Sequence, residues 1–541
     1  MSRRQWLSLI PLVAALAACG GGGGFAGLGT TTNSGDADVS AVAKNDPGSP
    51  LPATWKQGPF AEIYVRGYKD SDGDGIGDLK GLTQQLDYLQ QLGVTGIWLM
   101  PVTQSQDNDH GYAVTDYRAI EKQYGSLADF DAFIKAAHDR GIGVIIDYVM
   151  NHSGAKNPLF INSSSATDST RRNWYIWQST KPSGWSIYGS DPWKSSSTGY
   201  YFAGFWDQMP DFNLRNADVI AYHQNSMRFW LNRGVDGFRF DAVGNLVENG
   251  PNAWEGQPEN YTIMGDVHTM LGGYANRYMV CEAPIDPVGF SASTACGSAF
   301  AFGHNYDIVS AAKGSSTSAV TVVANYFSSA PLGIATMVSN HDAFAGDRLW
   351  TQVNGDQKQY RLAAATYLLQ PGVPFIYYGE EIGMANNSSL SGDWKLRTPM
   401  SWTSDSATAG FTSGTPFRAL SSNSTTNNVA AQQADANSLL NFYKAVIAMR
   451  KAHPALASGS YDNPQSSGLT MSFTRSATNE MALVAINYGT SAANVNFTGL
   501  PASASVAAAW PASGVGGVAT TGGTFSATVP AQSFVVFTIA K

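Results

Sequence analysis

Three acids each close a short apolar, strand-like run: Asp241 in GFRFD, Glu282 in YMVCE and Asp342 in TMVSNHD. They are far apart in the chain, so a fold must gather strand ends to bring them together. A β/α barrel does this, because its active site collects side chains from the C-terminal ends of several strands. Three gathered carboxylates suit cleavage of a glycosidic bond, where one acid is ionised while another is protonated at the same pH. Arg239 stands two residues before Asp241, so strand alternation turns both to one face. Its fixed cation is expected to lower the Asp241 pKa and keep that carboxylate ionised.

The elements that would hold these residues are legible from Phe60 onward. Short apolar runs alternate with amphipathic segments, the pattern of βα units. Eight strands are predicted: Glu62–Val65, Gly96–Leu99, Gly143–Asp147, Gly237–Asp241, Met279–Glu282, Ala299–Phe302, Ile334–Ser339 and Val373–Tyr377. Helices are predicted over Leu79–Leu92, Leu127–Arg140, Ala217–Arg233 and Lys358–Leu369. The fold class expected is α/β, a (β/α)8 barrel over 55–457. The gap between Asp147 and Gly237 is too long for a simple crossover, and 152–210 within it is the expected insert. Its Trp174, Trp177, Trp185, Trp193 and Trp206 among many Ser and Gly read as an inserted, loop-rich subdomain that could wall a cleft. Beyond Pro454 helical patterning stops, and 458–541 reads as an antiparallel β-sandwich.

A loop after the first strand spaces oxygen ligands at alternate positions: Asp70, Asp72, Asp74, Ile76 by its carbonyl, and Asp78. This follows the first part of an EF-hand loop and predicts a Ca²⁺ site, although the twelfth position is Gly81 rather than Glu.

Composition narrows the partners. Hydrophobic residues make up 43% of the 541, enough for a full core, and charged residues only 14%. The net charge of −8 and the absence of a Lys/Arg-rich run argue against nucleic acid or an anionic membrane surface. At the N-terminus, Arg3 and Arg4 precede an apolar run from Trp6 to Ala18 that is too short to span a membrane. That run ends in Leu16-Ala17-Ala18-Cys19, which resembles the bacterial lipoprotein box. The resemblance implies lipidation at Cys19, residues 1–19 as signal peptide, and a flexible Gly/Ser-rich tether over 20–54. Gly20 is compatible with outer-membrane sorting in such lipoproteins. A monomer is expected, touching the membrane only through its lipid. Cys281 and Cys296 are compatible equally with a disulfide and with buried thiols.

Ordered motifs make the chain resemble the alpha-amylase superfamily, glycoside hydrolase family 13, from about Phe60 to the C-terminus. They are GIWLMP ending at Pro101, DYVMNH from Asp147, MPDFNL from Met209, GFRFDAV from Gly237, Glu282 in VCEAP, SNHD from Ser339 and GVPFIYYGEE from Gly372. The resemblance implies Asp241 as nucleophile, Glu282 as general acid/base and Asp342 as transition-state stabiliser. It also implies His152 and His341 as sugar-binding histidines, Tyr112 as an aromatic platform and Ca²⁺ in the Asp70–Asp78 loop. Asn245 stands where typical members use a His for a second calcium, so the likeness does not extend there. Ala242 after the nucleophile resembles α-1,4-cleaving relatives, and MPDFNL resembles the group between neopullulanases and oligo-1,6-glucosidases. RTPMSW from Arg397 is similar to a segment of exo-acting α-glucosidases, except at Ser401, and suggests that Asp109 and Arg397 pair to close the pocket. The substrate implied is an α-glucan or maltooligosaccharide cleaved at α-1,4 bonds. An exo-acting α-glucosidase, or a transglycosidase or isomerase of maltose, sucrose or trehalose, is the alternative.

Overall fold

The computed structural model describes residues 37–511 and 518–541. The signal segment, Cys19 and residues 20–36 of the expected tether lie outside the described residues. Parallel strands run round a ring. Phe60–Ile63 pairs with Gly96–Leu99, which pairs with Gly143–Tyr148, then Gly237–Phe240 and Tyr278–Cys281 follow. Parallel bridges from Cys281 to Ala299 and from Phe300 to Ala335 carry the ring on. Ala335–Thr336 then pairs with Val373–Tyr377, which returns to Phe60–Ile63. This is a (β/α)8 barrel with a C-terminal antiparallel domain.

Two expected strands are shorter than read. Ala299–Phe302 contributes only bridge residues, because the Phe302 N–H turns back to the Phe300 carbonyl ahead of the helix His304–Ala312. Ile334–Ser339 is reduced to Ala335–Thr336. The predicted helix Leu79–Leu92 is broken at Gln85 into Leu79–Gln84 and Leu86–Leu92.

Strand alternation sorts the interior. Phe60, Trp98, Ile145, Tyr278, Val280, Phe300 and Phe375 share one buried cluster inside the ring. Two residues further along three of these strands the same face carries Glu62, Asp147 and Glu282. The barrel floor is therefore apolar and its C-terminal rim is charged. Trp55 plugs the floor, 5.5 Å from the Phe60 ring. It fits because Gly143 has no Cβ, which would fall 2.4 Å from the Trp55 ring.

Residues 37–54, expected as tether, instead lie against the barrel. Arg118 pairs with Asp38, Arg277 with Asp46, and the Asn225 and Asn232 side chains accept from the Val42 and Asn45 amides. Polar side chains at these spacings gave no periodic signal.

The insert carries a three-stranded antiparallel sheet of Trp177–Gln178, Gly199–Phe202 and Trp193–Ser196. Most of its tryptophans serve packing: Trp174 is buried against Tyr222 of the barrel, Trp193 is buried within the insert, and Trp177 stacks on Phe160 at 5.8 Å. Trp206 is exposed.

In the C-terminal sheet, Glu480–Asn487 pairs with Thr470–Ser476 and Ser533–Ala540. Its alternate residues serve two cores. Leu483 and Ala485 face the domain's own cluster, while Ala482, Val484 and Ile486 join the barrel's. Two buried arginines add a clamp. Arg450 donates to the Leu368, Gln370 and Gly372 carbonyls, and Arg475 to those of Gln370, Leu456 and Gly459. Cations at helix C-terminal carbonyls are favourably placed without a carboxylate partner.

Candidate active site

Arg239 lies at the centre of the rim with a side chain only 1% exposed. Its Nη1 meets Asp241 Oδ1 at 2.8 Å and Asp147 Oδ1 at 2.9 Å, and its Nη2 meets Glu282 Oε2 at 2.8 Å. The ladder explains the convergence, since Arg239 is in register with Asp147 on one side and Val280 on the other. Ala242 sits in a left-handed conformation at φ 45°, and its amide donates to Glu282 Oε2 at 3.0 Å. A non-glycine residue there stores strain. It also ties the residue after Asp241 to the second acid.

The electrostatics differ from the sequence expectation. Burial raises the Asp241 pKa, and this outweighs the lowering by Arg239. Burial likewise pushes Glu282 up, with Arg239 opposing and the charges of Asp241 and Asp342 adding to the rise. Low dielectric penalises the charged form of both, so one cation cannot restore the ordinary range. Asp342 behaves in the opposite way. Burial opposes its charge, but His341 and Arg397 hold it well below the usual carboxylate range. Arg397 Nη2 lies 2.8 Å and His341 Nε2 3.1 Å from the Asp342 oxygens. Although burial disfavours a charged imidazole, Asp342 and Glu62 raise His341 to about 10.

Both His341 nitrogens are engaged, Nδ1 by Glu62 at 2.6 Å and Nε2 by Asp342 and the Tyr112 hydroxyl. His152 is different. Burial pulls its pKa down to about 3, and Nε2 has no hydrogen-bond partner. The Tyr112 hydroxyl also donates to Asp147 at 2.9 Å, and the ring stacks on His341 at 5.6 Å.

Asp109 and Arg397 come together at 3.7 Å, within a larger group. Arg418 Nη2 is closer to Asp109 at 2.6 Å, and Trp394 Nε1 and the Tyr64 hydroxyl also donate to it. Asp393 meets Arg397 at 3.1 Å. Sequence reasoning missed Glu62, Arg418, Trp394 and Asp393. A signal existed for Glu62, an acid at an inward position of an apolar strand. None existed for Arg418, 309 residues from Asp109.

In the Asp70 loop, carboxylate oxygens of Asp70, Asp72 and Asp78 lie within 4.8 Å of one another. Asp74 is not among them; its Oδ1 accepts from the Ile76 amide, as the carboxylates of Asp70, Asp72 and Asp78 also accept from backbone amides. Asp78 also caps the helix Leu79–Gln84 through the Gly81 amide. Cys281 and Cys296 form a disulfide, which ties the strand end beside Glu282 to the following loop.

A barrel whose strand ends join two raised carboxyls to one guanidinium, beside a third carboxylate held ionised, defines a glycosidase site. Residues 62–459 match the family model "Alpha amylase, catalytic domain", and the chain belongs to that family. It is 33% identical over 417 residues to "Alpha-amylase 3" of Dictyoglomus thermophilum, covering 75% of this chain and 79% of the relative. It is 31% identical to "Oligo-1,6-glucosidase" of Parageobacillus thermoglucosidasius, covering 80% and 90% respectively. Among solved structures, an "alpha-glucosyl transfer enzyme, XgtA" superposes with a TM-score of 0.77 at 27% identity, covering 90% of this chain and 99% of that one.

Proposed function

We propose that this chain is a retaining exo-acting hydrolase that removes glucose from α-1,4-linked maltooligosaccharides and glucans. The observation that carries it is the bridging of Asp241 and Glu282 by neighbouring nitrogens of Arg239. Retaining pairs stand about 5–5.5 Å apart, too close for a water between acid and sugar. Asp241 attacks the anomeric carbon while Glu282 protonates the leaving oxygen. Glu282 then takes a proton from water, which displaces Asp241. Asp342, held ionised, offsets the oxocarbenium charge. His152 offers Nε2 to the sugar, and His341 acts by fixing the charge of Asp342. Exo action is supported by the mutual bonds of Asp109, Arg397, Arg418 and Trp394, a cluster that would close one end of the pocket.

Reducing-end-labelled maltoheptaose tests this. Loss of one glucose at a time is expected, giving labelled hexaose before pentaose. Short labelled fragments appearing first would mean endo cleavage and refute the closed end. A second reading, glucosyl transfer to a sugar, is favoured by the likeness to the α-glucosyl transfer enzyme.

Two further assignments belong with this reading. The convergence of Asp70, Asp72 and Asp78 fits a hard cation, and Ca²⁺ held there would brace the loop without taking part in the reaction. The lipoprotein-like N-terminus would place the enzyme on the cell envelope. The Cys281–Cys296 disulfide supports an oxidising compartment.

A further inference from the structure

Glu62 is a buried acid that the proposed reaction leaves unused. It stands at an inward position of Phe60–Ile63, beside Trp98 and Tyr377 in the ladder, and its side chain is 2% exposed. A charge so placed is costly unless a partner answers it. His341 does so twice, donating to Glu62 Oε1 from Nδ1 at 2.6 Å and from its backbone amide at 3.3 Å.

The other side of the imidazole fixes its protonation. Nε2 faces Asp342 Oδ2 at 3.1 Å and the Tyr112 hydroxyl at 2.8 Å. The one Tyr112 proton goes to Asp147 at 2.9 Å, and Arg239 Nη1 donates to the same hydroxyl at 3.3 Å. Neither neighbour has a proton to offer Nε2, so both ring nitrogens donate and His341 is an imidazolium. The Trp98 ring meets it edge-on at 5.6 Å, and Arg397 Nε donates to the His341 carbonyl at 3.0 Å. Glu62 and Asp342 are thus the acids in contact with the ring, with Asp147 beyond Tyr112. Burial works against the cation, and Asp342 and Glu62 outweigh it. Burial also pushes Glu62 up, with His341 and Arg239 opposing.

We propose that Glu62 is a positioning residue that keeps a proton on His341 Nε2 and so holds Asp342 in place for the transition state. This rests on the retaining reading. The His341 amide needs an acceptor at Oε1, so Nδ1 keeps its proton whatever the charge of the ring. A neutral His341 would then turn a lone pair on Asp342. The same wrong tautomer arises where the acid behind a catalytic histidine is replaced by its amide. An ionised Glu62 prevents this by favouring the charged ring in a low-dielectric site.

E62Q keeps the shape of the side chain and removes its charge. α-Glucosyl fluoride needs no protonation to leave, so E282Q should show a fluoride burst without the alkaline limb of Glu282. In E62Q/E282Q that burst is expected to slow about tenfold or more as the pH rises from about 6 to about 9, as His341 loses its proton. In E282Q and in E62D/E282Q it should stay level. Nitrogen-15 spectra of the chain's eight histidines give a second reading, with His341 identified by its loss in H341Q. In wild type it should remain doubly protonated at about pH 8, where an ordinary imidazole of pKa about 6.5 is neutral. In E62Q that signal should be lost. A level burst in E62Q/E282Q or a neutral His341 in wild type overturns the proposal. So does equal slowing in E62D/E282Q, which keeps the charge and would make Glu62 a packing group. Should E62Q fail to fold, the wild-type spectrum decides. A wild type that releases no fluoride would count against the retaining reading, while the spectrum, which needs no turnover, still judges the pairing.

Discussion

One guanidinium serves three carboxyls, and this decides how the site titrates. In the proposed mechanism turnover needs Asp241 ionised and Glu282 protonated. Activity is therefore lost on the acid side as Asp241 takes up a proton, and on the alkaline side as Glu282 gives one up. Burial raises both groups despite Arg239, so both limbs of kcat/KM are expected above the ordinary carboxylate values of about 4. E282Q assayed on glucosyl fluoride, which needs no protonation to leave, should lose the alkaline limb of glycosylation. Limbs at ordinary values would contradict the buried pair. At this scale the sequence was informative where strand alternation fixed a side chain's direction, as for Arg239 and Asp241. It misled on the Asp241 pKa, because desolvation depends on the whole fold and the motif shows only the neighbouring cation.

Among the elements, the barrel strands were readable because a buried parallel strand is a short apolar run, and acids at its inward positions stand out. The last strand, Val373–Tyr377, is as read. Ala299–Phe302 is not, because strand length depends on where the next helix starts. The cluster around Asp109 was half legible: Asp109 and Arg397 lie in motifs, but Arg418 arrives by a loop without periodicity. The Asp70 loop shows a similar division, since ligand spacing marked Asp74, yet its carboxylate lies outside the group formed by Asp70, Asp72 and Asp78. Chelation of the Ca²⁺-loaded protein should remove about one metal ion per chain and lower its thermal midpoint. A ligand at a hundredfold excess over its Kd stabilises by about 2.7 kcal/mol. D72N, which leaves the Asp70 and Asp78 backbone bonds in place, should abolish that response. Unchanged metal content and midpoint would remove the site.

For the whole molecule, the barrel and C-terminal sheet share a core, and Arg475 fastens them through barrel carbonyls. The sandwich was legible from alternation, but its second buried face was not, because both faces of a central strand then read as continuously apolar. Among the described residues no helix is long and apolar enough to cross a membrane. The proposed envelope location rests on the lipoprotein-like N-terminus ending at Cys19. In cells, C19S should move the protein from membrane to soluble fractions and lose palmitate labelling; an unchanged distribution would refute the anchor. The whole account turns on Asp241 and Glu282 acting as a close pair, and the stereochemistry of the first product reads this directly. Proton NMR of early maltotriose hydrolysis should show α-glucose forming first and mutarotating later. β-Glucose as the first product would mean single displacement by water and would contradict the account.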